Sequence, residues 1–239
     1  MTARWIGGAA AAFAMLGGGA EVSSAQTMDD MIFHGVFVDR LEVRSNDGDP
    51  VLLWDADAWV GGDVNKLWLR TEGDPPFDGR NEDAARRALW SRAITPYFDV
   101  QIGVRHDIRP KPARTHAVIG LQGLAPFWYE VDAALFVSDT GDVTGRIEAE
   151  NDFLITQRLM LAPRAELSFA AQDVPELGIG AGLNSVEIDL RVKYSVTRDF
   201  APYVGVSWSR AVGDTADFRR ADGEGVGSVS FVAGFSLSF

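Results

Sequence analysis

Apolar and polar residues alternate with a period of two along nearly all of the chain beyond its N-terminal segment. That is the pattern of strands with one apolar and one wet face. The last strand shows it plainly: Phe231, Ala233, Phe235, Leu237 and Phe239 share one face, and Val232, Gly234, Ser236 and Ser238 the other. A free carboxylate beside a buried ring does not suit a soluble core, whereas at a membrane interface the ring meets lipid and the carboxylate meets water. Segment 185–196 is as regular, with Val186, Ile188, Leu190, Val192, Tyr194 and Val196 opposite Glu187, Asp189, Arg191, Lys193 and Ser195. Four consecutive ionisable residues on one face cannot lie against hydrocarbon, where each would cost a few kcal/mol at mid-depth. They must face water or one another.

Twelve such segments are expected, near 32–45, 50–60, 64–72, 84–94, 97–107, 114–122, 127–138, 141–154, 158–172, 185–196, 200–210 and 228–239. Connections alternate in length: those at Gly61 to Asp63, Thr95-Pro96, Gly123 to Pro126, Thr156-Gln157 and Thr197 to Asp199 are tight. Between them fall the longer Gly73 to Asp83, Ile108 to Ala113, Asp173 to Asn184 and Ala211 to Gly227, with Asn46 to Asp49 and Asp139-Thr140 as short exceptions. An even strand number with alternating short and long connections predicts an all-β, antiparallel, twelve-stranded transmembrane barrel of the outer membrane, both ends in the periplasm. Closure is required, because an open edge in lipid leaves backbone groups unpaired. No helix-period segment of useful length stands out. Asp39, between Phe37 and Leu41, and Arg92, between Trp90 and Ile94, break the alternation, which predicts a bulge or a charge at the interface. Pro163 inside a strand predicts a bulge or a shortened ladder.

The N-terminus adds the compartment. Arg4, an Ala- and Gly-rich run from Ile6 to Ala20, and Ser23-Ser24-Ala25 read as a secretory signal over 1–25. A short periplasmic segment, 26–31, would then lead into the barrel, 32–239. That cleavage removes Arg4 and Glu21 together, so the net charge of −12 is unchanged. Such acidity argues against a nucleic-acid partner and suits a lumen that handles cations. Cysteine is absent, which excludes disulfides and thiolate metal sites.

Thioether and imidazole are ligands that select copper, and Met28, Met31 and His34 are spaced by three at the start of the expected mature chain. They form a candidate metal site, against the plainer reading of a polar tail. On the expected lumen face stand Asp55, Asp57, Asp99, Glu130, Asp132, Glu148, Glu150, Asp152, Glu187 and Asp189, with Arg146 and Arg191 among the bases. They could make a cation path, or pair with one another and with Lys66, Arg70, Arg105, Arg164 and Lys193 as a salt-bridge lattice. No catalytic set emerges. His106 lies outward near an outer loop, as in outer-membrane phospholipases, but it lacks the following serine, and no Gly-x-Ser-x-Gly occurs.

Several strings carry a resemblance: Trp54-Asp55-Ala56; Trp59-Val60-Gly61-Gly62-Asp63 with Asn65-Lys66-Leu67-Trp68; and Ser91-Arg92-Ala93-Ile94 before Pro96. Further along come Gly123-Leu124-Ala125-Pro126 before Glu130-Val131-Asp132-Ala133, then Ala201-Pro202-Tyr203 and Gly213-Asp214-Thr215-Ala216. From about Phe33 to Phe239 the chain resembles the copper resistance protein B family. The resemblance implies a non-catalytic twelve-stranded barrel, seated in outer-membrane lipid, that binds copper ions or assists their sequestration or export beside a periplasmic multicopper oxidase. Family members commonly carry a Met-, His- and Asp-rich N-terminal extension; here it is reduced to Met28-Asp29-Asp30-Met31 and His34. A general small porin or solute channel with a charged lumen is the alternative.

Overall fold

The computed structural model describes residues 32–45, 50–74, 84–109 and 113–239. The expected signal, Met28 and Met31 lie outside them. The strands are β1 (Phe33–Ser45), β2 (Val51–Gly61), β3 (Asn65–Gly73), β4 (Ala84–Ala93), β5 (Phe98–Arg109), β6 (Arg114–Ala125) and β7 (Tyr129–Ser138). They continue with β8 (Val143–Glu150), β9 (Phe153–Leu154), β10 (Leu159–Ala170), β11 (Gly182–Tyr194), β12 (Phe200–Ala211) and β13 (Gly227–Ser238). Each pairs antiparallel with its sequence neighbour, except that β8 and β9 both pair with β10 in one unbroken register. These two are one stave of a twelve-stave barrel. The ring closes where β13 pairs with β1, and the Val36 and Phe239 backbones exchange hydrogen bonds of 3.0 and 2.8 Å.

Lipid-facing and lumen-facing side chains separate as the alternation predicts. Leu69, Val104, Ile119, Ile188, Val204 and Phe231 are exposed on the outer wall, whereas Arg87, Gln101, Arg164, Asp189 and Ser207 are buried within. The tight connections named above, with the start of β1 and the end of β13, lie at one end; the longer connections lie at the other, together with the short β7–β8 turn at Asp139 to Asp142. Short turns mark the periplasmic side of such barrels. Exposed aromatics gather there, including Tyr97, Phe127, Trp128 and Phe239, as an interfacial girdle requires. Phe127 and Trp128 hold φ of 66° and 65°, and the Asn151 amide secures their turn by donating to the Phe127 carbonyl at 2.8 Å.

The irregular positions resolve individually. β1 is bulged at Asp39: Val38 stands opposite Ala56 and Arg40 opposite Asp55. Asp39 and Arg40 therefore both reach the interior, and beyond the bulge Glu42 and Arg44 point inward while Leu41 and Val43 face lipid. A one-residue slip exchanges the two faces of a strand. Arg92 is exposed on the outer wall beside a periplasmic turn. Pro163 causes no bulge; it lies beside the break between β8 and β9, where Asn151 N–H donates to its carbonyl at 3.2 Å. One element departs from expectation: the connection before β13 contains a helix, α1 (Gly213–Ala221). It has no apolar stripe to betray it. Asp214 in its first turn and Arg219 and Arg220 in its last suit the helix dipole, and Thr215 and Ala216 are buried. Gly180 N–H donates to the Thr215 hydroxyl at 2.8 Å.

Inside the barrel a single cross-strand row, Trp68, Leu89, Gly103, Val118 and Phe136, forms an apolar wedge on the β3–β7 wall. Gly103 sits at its centre because a Cβ there would lie 2.0 Å from the Ala88 carbonyl oxygen. Gly103→Ala must move backbone, so we expect it to destabilise the refolded barrel by about 1–3 kcal/mol, read as a lower midpoint in denaturant unfolding.

Candidate functional site

The lumen is the candidate site, and strand pairing dictates its chemistry. Asp132, Glu148, Glu166 and Glu187 are successive cross-strand partners on β7, β8, β10 and β11. Glu130 and Glu150 face each other in the adjacent row. Like charges directly opposite are destabilising, so cations must reach in from other rows.

Arg164 does so on one side. It contacts Glu148 at 2.7 Å, Asp189 at 2.9 Å and Glu187 at 3.2 Å, and also bonds Glu166. Arg191 grips both oxygens of Glu42 at 2.9 Å and reaches Asp189 at 3.1 Å. Arg44 joins Glu42 at 2.9 Å to Glu187 at 3.0 Å, and the Tyr203 hydroxyl donates to Glu42 at 3.0 Å. The Glu42 and Asp189 side chains are fully buried.

A second cluster crosses the lumen. Arg70 of β3 reaches Asp132 of β7 at 2.6 Å and Gln122 of β6 at 2.7 Å, with Asp57 at 3.4 Å. Glu72 of β3 collects Arg146 of β8 at 3.0 Å, Arg87 at 2.5 Å and Arg105 at 3.6 Å. Arg87 and Arg105 stack on Phe136 at 5.3 and 4.9 Å, so the apolar wedge also seats the crossbars.

The expected lumen residues all lie on the interior face. Asp55 pairs with Arg40 at 2.7 Å, Asp99 with Lys66 at 3.3 Å and Asp152 with Lys193 at 3.1 Å. Glu130 and Glu150 line a cavity of about 130 Å³ between the two clusters. Eight acids border it, Asp39, Asp55, Asp57, Glu72, Glu130, Asp132, Glu148 and Glu150, against the bases Lys66, Arg70, Arg87 and Arg146. Glu42, Glu72 and Asp39 were not expected as lumen residues. The bulge turns Asp39 inward, away from the face it shares in the alternation with Leu41; Glu42 lies on the polar face of β1 beyond it, and only its partners on β4, β5 and β8 give Glu72 its position. His34 is exposed on the outer wall at the periplasmic rim, opposite Val60. Among the described residues no group of three His, Asp or Glu side chains has the arrangement of a metal site. His106 faces outward with Nδ1 3.0 Å from the Thr115 hydroxyl, so its neighbour is a threonine.

At the extracellular mouth Arg114 joins Asp142 at 2.5 Å to Glu176 of the β10–β11 connection at 2.6 Å. The Thr140 hydroxyl bonds Asp142 at 2.7 Å. That bond, aided by Gln172, Arg114 and Ser138 and opposed by desolvation, holds the Asp142 carboxyl below the ordinary aspartate range.

Two expectations follow. Glu42→Ala leaves Arg191 buried and half-paired and should cost about 3–5 kcal/mol, whereas Glu42→Leu with Arg191→Leu should recover much of it; equilibrium unfolding in denaturant reads both. A depressed carboxyl pKa gives stability that is present above the unfolded value and lost as pH falls through the folded one. Acidification below the aspartate range should therefore release the β10–β11 connection to limited proteolysis, and Asp142→Asn should do so at neutral pH.

Comparison with known proteins agrees with this architecture. The chain is 40% identical over 217 residues to the Copper resistance protein B homolog of Pseudomonas syringae pv. tomato, covering 90% of this chain and 74% of that one. It is 40% identical over 211 residues to Copper resistance protein B of Escherichia coli, covering 88% and 71%. Among solved structures, the NanC porin superposes with a TM-score of 0.53 at 13% identity over 84% of this chain and 98% of that one. The KdgM porin gives 0.50 at 10% identity over 86% and 99%; at such identities the likeness is one of fold. The family profile described as Copper resistance protein B precursor (CopB) matches residues 32–239. The chain thus belongs to the copper resistance protein B family of outer-membrane β-barrels.

Proposed function

We propose that this barrel binds copper ions and passes them through its lumen at the outer membrane, as the cargo of a copper resistance system. The observation that carries the proposal, beside family membership, is the surplus of carboxylates over cations around the central cavity. A surplus of one sign in a low-dielectric enclosure concentrates ions of the other. Oxygen donors bind copper less selectively than sulfur or imidazole. Selection therefore falls to Met28, Met31 and His34 as the capture ligands; of these His34 is exposed at the periplasmic rim. A periplasmic multicopper oxidase is the partner proposed to exchange copper there. The barrel itself performs no catalysis in this scheme.

A general solute channel fits less well. The Arg70–Asp132 and Arg146–Glu72 pairs cross the lumen at 2.6 and 3.0 Å, which bars a sugar-sized solute while leaving carboxylates to hand on an ion. The test is copper and solute flux into vesicles containing the refolded protein. Asp132→Asn with Glu150→Gln should reduce copper entry several-fold, and Met28→Ala with Met31→Ala should weaken copper binding while leaving sodium conductance unchanged. Free passage of uncharged sugars by the unmodified barrel, with no preference for copper, would replace this reading with the channel.

A further inference from the structure

We propose that the outer wall of β3–β6, at the extracellular rim, binds the phosphorylated glucosamine headgroup of the glycolipid that forms the outer leaflet of the outer membrane. One cross-strand row carries the inference. Thr71 pairs with Arg86, Arg86 with His106, and His106 with Thr115. Strand alternation turns this row outward, since Arg70, Arg87, Arg105 and His116, one position along each strand, face the lumen. The Trp54 indole donates to the Thr71 hydroxyl at 3.3 Å, and His106 Nδ1 lies 3.0 Å from the Thr115 hydroxyl. The row is thus a continuous polar strip with an indole at one end.

Its position in the membrane follows from the next outward row toward the periplasm, Leu69, Ala88, Val104 and Ala117. That row is wholly apolar, with Leu69 and Val104 more than half exposed. Arg86 and His106 therefore stand where hydrocarbon gives way to headgroups. Arg86 is exposed, and among the described residues no carboxylate pairs with it, whereas its inward neighbour Arg87 is held by Glu72. A guanidinium on a lipid-facing wall meets lipid, and its fork of donors matches a phosphate in bidentate fashion. Hydroxyls and an imidazole alongside suit the sugar that carries that phosphate. The extracellular side of the barrel is the side where this glycolipid lies; phosphatidyl lipids face the periplasmic rim.

The test is retention of purified lipopolysaccharide by the refolded full chain in detergent, read by native mass spectrometry beside phosphatidylglycerol. Arg86→Ala with His106→Ala should retain roughly tenfold less lipopolysaccharide, the loss expected for a charge-assisted bond. Arg210→Ala, which removes another exposed arginine near the same rim, should retain as much as the unmodified protein. Heat-modified gel mobility verifies folding, and Arg86→Gln alone, expected to lose retention in the same direction, serves where the double variant does not refold. Unchanged retention in the Arg86 variants, equal loss in Arg210→Ala, or phosphatidylglycerol held as tightly at the same residues would overturn the proposal.

Discussion

Hydrocarbon offers no partner to a backbone N–H or C=O, and the rest of this structure depends on that constraint. It forces twelve staves into a ring, makes β13 find β1, and keeps Pro163 beside the one stave that breaks. Closure also decides the interior. Once the outward positions are given to lipid, the alternate positions have nowhere to point except at each other across a narrow lumen, and polar side chains there must satisfy one another.

The lumen meets that demand unevenly. The β3–β7 wall contributes the apolar wedge around Trp68, Leu89, Val118 and Phe136, on which the guanidinium groups of Arg87 and Arg105 rest. The opposite wall is a lattice built around Arg164, Arg191 and the buried carboxylates Glu42 and Asp189. Between them the carboxylates exceed the cations, and the surplus borders the cavity. Replacement of buried ion pairs by apolar side chains is often neutral or stabilising, so stability alone gives no reason to keep so charged an interior. The proposed role in handling cations would supply one.

The salt-bridge lattice and the carboxylate-lined cavity share side chains. Asp132 is a rung of a carboxylate row and the anchor of a crossbar from Arg70; Glu148 is both a partner of Arg164 and a wall of the cavity. A lattice whose carboxylates outnumber its cations can be closed to solutes and still attract metal ions.

Much of this was legible in the residues. Period-two alternation determined the strands, their lipid and lumen faces, the alternating connections and the inward placement of acids such as Asp57 and Asp189, because a strand side chain has only two directions to choose between. The sequence could not show where that rule slips. Phe37, Asp39, Leu41 and Val43 read from the sequence as one face of β1, yet the bulge at Asp39 turns Phe37 and Asp39 to the lumen and leaves Leu41 and Val43 to lipid. Nor could it show that Glu72 collects arginines from β4, β5 and β8, or that α1 forms within the connection before β13. Those are long-range facts: strand parity is local and written residue by residue, whereas which charges meet across a closed barrel follows from curvature and register, properties that exist only once all the staves are joined.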